Sequence, residues 1–82
     1  MRQLRNSAQQ LLREARWQTG LTQQELAERS GLSIRTISDI ERGHVLCPRA
    51  VTLRMLARAL GLTDTKTREL LLVAREAAGA GR

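Results

Sequence analysis

The sequence has 82 residues, with 14 lysine and arginine residues against eight acidic ones, and a formal net charge of +6. This length supports one domain with a small core, and the positive charge favours a polyanionic partner such as nucleic acid. One cysteine and one histidine exclude an intramolecular disulfide and are too few for a Cys/His zinc site.

The chain begins with a basic segment, residues 1–6, which we expect to be a flexible arm; a solvated terminus is the preferred interpretation and DNA contact the alternative. Helix 1 is predicted over residues 8–19, because Ser7 and Gln10 have the spacing of a capping box. Its core face is formed by Ala8, Leu11, Leu12 and Ala15. Trp17 lies near the edge of this face, so we expect it to be half-buried, with a hot spot for a protein partner as the alternative.

Two short helices joined by a glycine form the centre of the sequence. Thr22 lies three residues before Glu25, which is a second capping box, and helix 2 is predicted over residues 23–30. Gly31 supplies the positive φ of a sharp turn, and helix 3 follows over residues 34–42. Two helices this short cannot bury a face alone, so other helices must support them, which is the helix-turn-helix arrangement.

Two further helices complete a predicted all-α fold. Helix 4 is predicted over residues 49–60, after a proline that a first helical turn tolerates, and helix 5 over residues 64–77, with Thr63 as its N-cap. The result is a compact five-helix domain over residues 7–78. Cys47, in the loop before helix 4, has no resolving thiol and is predicted to be inert.

Helix 5 carries more apolar side chains than one small core can cover, since residues 70–74 are apolar on every side of the helix. Leu72 or Val73 is therefore exposed, or that side contacts a second protomer or an adjoining domain. We expect an interface there, and a flexible tail or linker at residues 79–82.

Small, apolar and capping residues keep a gapless spacing across the two central helices. They are Gln23, Glu25-Leu26-Ala27, Gly31-Leu32-Ser33, Thr36-Ile37-Ser38, Ile40-Glu41 and Gly43. This spacing resembles the phage-repressor (Cro/CI, XRE-type) helix-turn-helix family, and the resemblance extends less tightly over residues 7–77. It implies a lambda-repressor-like domain that regulates transcription, in a repressor-like way, by placing helix 3 in the major groove of DNA while helix 2 crosses the backbone.

The resemblance also implies which residues face the base edges. They are Ser33, Ile34, Arg35, Thr36 and Asp39. Arg35 is the strongest candidate, for the O6 and N7 atoms of guanine. Ile34 contacts either a thymine methyl group or its own neighbours. Asp39 either accepts a hydrogen bond from cytosine or orients Arg35 or Arg42.

A second implied group contacts phosphates and so positions the domain on DNA. It comprises Thr22, Gln23, Arg42, His44 and Arg49. Gln23 opens helix 2, where the amide dipoles attract phosphate. For His44, an exposed loop residue is preferred over a pH sensor or a metal ligand. Arg16 and Glu41 match positions of helices 1 and 3 that form a structural ion pair in the family.

The sequence contains no recognisable catalytic constellation, so we expect no enzyme activity, no cofactor and no metal. Tyrosine and phenylalanine are absent, which leaves few platforms for stacking on single-stranded bases and favours duplex DNA. The expected assembly is a homodimer on a palindromic operator, with a further protein or C-terminal domain as an additional partner.

Two other functions stay open at this point. One is a protein-interaction module, such as an antitoxin or the tethering domain of a larger regulator, and the other is binding of RNA or DNA by charge alone. No apolar run approaches the roughly 18 residues that span a bilayer, and no signal-peptide pattern is present. We therefore expect a cytoplasmic location, which in a prokaryote includes the nucleoid.

Overall fold

The computed structural model of the chain describes residues 7–45 and 48–80. The regular structure in these ranges is α-helical: α1 (Ala8–Thr19), α2 (Gln23–Ser30), α3 (Ile34–Glu41), α4 (Ala50–Leu60) and α5 (Asp64–Ala80). The predicted all-α fold of five helices is confirmed. The predicted basic arm, Cys47 and the last two residues of the predicted tail lie outside the described residues. No helix in the described ranges is long and apolar enough to cross a membrane.

The starts of the helices follow local sequence signals. Ser7 Oγ accepts a hydrogen bond from the backbone N–H of Gln10 at 3.3 Å, and Thr22 Oγ1 accepts one from Glu25 at 3.0 Å. In both capping boxes the third-residue side chain also accepts from the N-cap backbone. Gly31 adopts a φ of +81°, so the chain turns sharply from α2 into α3.

Three helix ends differ from the sequence-based boundaries. The helix predicted to reach residue 42 ends at Glu41, because the chain leaves the helix through Gly43, whose φ is +80°. The helix predicted from residue 49 begins at Ala50, because Arg49 has extended backbone angles, φ −66° and ψ 147°. The last helix continues to Ala80, three residues beyond its predicted end, since the alanine-rich end contains no proline to stop it. The predicted tail from residue 79 is therefore helical for its first two residues.

The core collects apolar side chains from all five helices and from one connecting residue, Leu21. They are Ala8, Leu12, Leu21, Leu26, Ala27, Ile37, Ile40, Leu53, Leu56, Ala57, Leu60, Leu70 and Ala74. α2 and α3 are each eight residues long, and both bury their apolar side chains against the other helices. α3 packs against α1 and α2, and α2 in turn packs against α4. This arrangement covers one face of α3 and leaves the other face of α3 open.

Trp17 differs from the prediction, because its side chain is 63% exposed rather than half-buried. It lies five residues after the buried Leu12, which rotates it by about 140° around an α-helix, away from the core. Its ring instead lies beneath the guanidinium group of Arg13, whose Cζ is 5.7 Å from the ring centroid.

Candidate nucleic-acid interface

The first turn of α3 presents a group of uncovered side chains. Ile34 is 47% exposed, Ser33 is exposed at the N-cap, and the side chain of Arg35 is 89% exposed. Thr36 and Asp39 are partly buried beside them. The opposite side of the same helix is buried in the core. All five residues predicted to face base edges thus lie together at the start of α3 or one turn further along.

The hydroxyl groups of Ser33 and Thr36 contact each other at 2.8 Å. Ser33 Oγ also accepts a hydrogen bond from the backbone N–H of Thr36 at 3.0 Å, which caps α3. One hydroxyl proton is used in the contact between the two side chains. The other remains for an external acceptor, so this pair can offer one donor to a ligand.

Asp39 lies between two basic side chains. Its Oδ2 atom is 4.0 Å from Arg35 Nε, one helical turn away, and its Oδ1 atom is 3.6 Å from His44 Nδ1. The backbone N–H of His44 also donates to the carbonyl oxygen of Asp39 at 2.9 Å. The carboxylate therefore borders the stem of Arg35 and leaves the outer guanidinium nitrogens directed to solvent. The two roles predicted for Asp39, acceptance from cytosine and orientation of a neighbouring arginine, both stay predictions.

Behind this surface, Arg16 and Glu41 form a two-pronged ion pair. Arg16 Nε donates to Glu41 Oε2 at 2.7 Å and Arg16 Nη2 donates to Glu41 Oε1 at 2.8 Å. Glu41 is 5% exposed, and the third nitrogen of Arg16 donates to the carbonyl oxygen of Leu21 at 3.0 Å. The pair predicted from the resemblance is present, and it joins α1 to the end of α3.

Two further residues donate hydrogen bonds to Glu41, and these bonds were not predicted from the sequence. Gln23 Nε2 donates to Glu41 Oε1 at 3.0 Å, and Arg13 Nη1 donates to the Glu41 carbonyl oxygen at 3.3 Å. The i, i+3 spacing of Arg13 and Arg16 on one helix could have suggested a shared acceptor. For Gln23 no local signal existed, because its partner is 18 residues away.

Burial disfavours the charged form of Glu41, but hydrogen bonds from Arg16 and Gln23, together with the charges of Arg16 and Arg13, outweigh it. The pKa of Glu41 is therefore held below its ordinary value of 4.5. The hydrogen bond to Glu41 correspondingly raises the pKa of Arg16, although burial opposes this. Both groups are charged at neutral pH, so the support of α3 is ionic.

The lowered pKa predicts acid sensitivity. Between the folded-state pKa and the ordinary value of 4.5 the folded protein binds fewer protons than the unfolded chain, so its stability falls as the pH falls. The contribution of Glu41 is complete above about pH 4.5 and is lost as the pH drops through the folded-state pKa. Melting temperatures measured by circular dichroism from neutral pH downward should show this loss. Glu41→Gln should show a smaller decrease over the same range, and equal decreases for both proteins would contradict the assignment.

The side chains at the start of α2 that were predicted to contact phosphates already have hydrogen-bond partners within the domain. Thr22 Oγ1 caps the helix, and the Glu25 carboxylate accepts from the Thr22 backbone N–H at 2.9 Å, so a negative charge already lies at this helix end. One amide hydrogen of Gln23 is used by Glu41, which leaves the second for a phosphate. Gln23 thus has a structural role in addition to any contact with DNA.

Arg42, His44 and Arg49 are all exposed around the end of α3 and the start of α4. Arg49 is the N-cap of α4 and makes no side-chain capping bond, so the first amides of that helix lack a side-chain cap. The phosphate contacts predicted for these three residues stay predictions.

The apolar surface of α5 is uneven. Leu72 is 54% exposed, whereas Val73 is partly buried. The two residues predicted to form an interface are therefore not equally available. The homodimer predicted from the sequence stays a prediction.

The fold and this exposed helix define a helix-turn-helix domain, the class of small helical domains that bind DNA. Comparison with known proteins agrees: the helix-turn-helix family model matches residues 12–66. The chain is also 47% identical over 51 residues to an uncharacterized HTH-type transcriptional regulator of Methanothermobacter thermautotrophicus, a match that covers 62% of this chain and 72% of that protein. The chain belongs to the helix-turn-helix family of the Cro/CI, XRE type.

Proposed function

We propose that this protein is a transcriptional regulator that binds specific sequences of double-stranded DNA, with α3 in the major groove. The observation that carries the proposal is Arg35, whose guanidinium fork is exposed on a helix that a buried ion pair holds in place. An α-helix fits the major groove, where a guanidinium group can donate two hydrogen bonds to guanine. A rigidly supported helix is needed for this, because base reading depends on accurate placement of the donors.

The neighbouring side chains also suit a placement of α3 in the major groove. The hydroxyl pair of Ser33 and Thr36 offers one donor, and Ile34 presents an apolar surface that suits a thymine methyl group. Arg42 follows α3 directly and Arg49 precedes α4, and both would contact phosphates, which position the domain without reading sequence. Repressor-like regulation follows from the resemblance to phage repressors and from simple occupation of an operator.

Selection of binding sites from a pool of randomised duplexes, carried out at low and at higher salt, tests this proposal. We expect a defined consensus that contains at least one guanine and persists at the higher salt. Non-specific binding would instead lose affinity steeply with salt and enrich no sequence, since it rests on the release of counterions from phosphates. A pool without a consensus at either salt concentration would contradict sequence-specific recognition.

A further inference from the structure

A groove runs between α4 and α5, and none of the residues predicted to contact DNA lines it. Its volume is about 870 Å³, within the range of ligand and partner sites. Leu53 and Ala74 are buried in it, whereas Leu72 also lines it and is 54% exposed. The groove thus has a buried apolar floor and one strongly exposed leucine at its surface.

The residues around this groove carry a biased charge. Arg54, Arg68 and Arg75 line it and are exposed, and Glu69 is the single carboxylate among its described lining residues. Three guanidinium groups against one carboxylate give the lining a formal net charge of +2. The groove therefore combines an apolar centre with a basic border.

We propose that the α4–α5 groove binds an acidic amphipathic helix of a partner protein. Such a helix would place apolar side chains, spaced three or four residues apart, against Ala50, Leu71 and Leu72, which line the groove and are exposed or partly buried. Aspartate and glutamate on its flanks would pair with the three arginines. Guanidinium groups bind carboxylates with two parallel hydrogen bonds, so they add orientation as well as attraction.

Charge distinguishes this occupant from a second copy of the chain. A pair related by two-fold symmetry places the same patch, with its formal net charge of +2, on both sides of the interface. The net positive charge would double within one contact, and like charges across an interface are costly. The whole chain carries a net charge of +6, which adds to the repulsion. An acidic helix would instead bring negative charge to the groove, so neither the local charges nor the net charges of the two molecules would repel.

The location of the groove leaves α3 free. Its lining residues belong to α4, to α5 and to Pro48, which precedes α4. None of them belongs to α2 or α3. A partner helix in the groove would therefore leave α3 uncovered, and it would lie beside Arg49, whose neighbours Pro48 and Ala50 line the groove. The inference rests on the groove alone and does not depend on sequence-specific DNA binding.

Three stapled helical peptides test this inference on the full 82-residue chain. The first carries leucines at helical spacing with glutamate on its flanks, the second replaces the glutamates by lysine, and the third replaces the leucines by alanine. We expect the first to bind at least about tenfold more tightly than either of the others. Amide chemical shifts should change along α4 and α5 and not along α3.

Variants of the chain provide the second half of the test. Arg68→Glu and Arg75→Glu should each weaken binding of the acidic peptide by about tenfold, because a favourable pair becomes a repulsive one. Arg58→Glu is the matched control, since Arg58 is an exposed arginine of α4 that does not line the groove. Circular dichroism checks that each variant is folded.

Three results would overturn the proposal. Equal affinity for the acidic and lysine peptides would remove the role of charge. Shift changes on α3, or displacement of the peptide by duplex DNA, would place the acidic peptide on the DNA-binding surface. Self-association in sedimentation that Leu72→Glu abolishes, without a preference for the acidic peptide, would assign the groove to a second copy.

Discussion

Replacing Glu41 by alanine is expected to lower the free energy of unfolding by about 3–5 kcal/mol, because it leaves the guanidinium group of Arg16 without its partner in a largely buried position. Arg16 is 12% exposed and Glu41 is 5% exposed, so water can replace little of the lost interaction. The change also removes the acceptor of Gln23. Urea unfolding followed by circular dichroism measures the difference.

A control and a double variant separate this effect from a general loss of charge. Glu28→Ala removes an exposed carboxylate from α2 and should change stability by less than about 0.5 kcal/mol. Arg16→Ala combined with Glu41→Ala should cost less than the sum of the single changes, because neither charge is then left alone. Strictly additive costs would show that the two residues stabilise the domain independently, against the geometry of the pair.

The ion pair explains why a stability residue bears on DNA recognition. Glu41 closes α3 on the buried side, while Arg35 projects from the first turn of the same helix. Ile37 and Ile40 anchor α3 in the core, and the ion pair adds a directional contact at the C-terminal end of the helix. Loss of the pair would therefore loosen the placement of Arg35 even under conditions in which the domain stays folded.

Features that depend on neighbouring residues were predictable from the sequence. The capping boxes at Ser7 and Thr22 and the glycine turn at Gly31 use partners within a few residues, so their spacing is visible in the chain. Helix ends were less predictable. Residue 42 and residue 49 have backbone angles that no side chain dictates. The alanine-rich end of α5 contains no proline, and the helix continues through Gly79 to Ala80.

Features that depend on distant partners were harder to predict. The pairing of Arg16 with Glu41 followed from resemblance to a family, whereas the bond from Gln23 to Glu41 required the packed arrangement of α2 against α3. The expectation for Trp17 fails because the residue lies about 140° around α1 from Leu12, rather than near the edge of the buried face. Contact with the guanidinium group of Arg13 gives the exposed ring a partner that composition alone did not indicate.

Replacing Arg35 by alanine is expected to cost about 1–3 kcal/mol in binding to the selected duplex and to remove the preference at one base pair. The physical reason is that its exposed fork supplies the donors that distinguish guanine from other bases. The fold should be unaffected, because the Arg35 side chain is almost fully exposed. Its ion pair with Asp39 is long, at 4.0 Å, and lies on the helix surface, where such pairs contribute little to stability. Affinity is measured against the selected site and each of its single-base variants in matched buffers.

Arg49→Ala is the comparison that separates reading from positioning. Arg49 is also exposed but lies at the start of α4, beside helix amides that favour phosphate. Its loss should weaken all duplexes alike and lower the slope of log affinity against log salt by about one unit. Arg35→Ala should differ by selectively weakening duplexes that carry the preferred base. If both variants lose affinity equally for every duplex, Arg35 acts only through its charge, and α3 does not read bases through this residue.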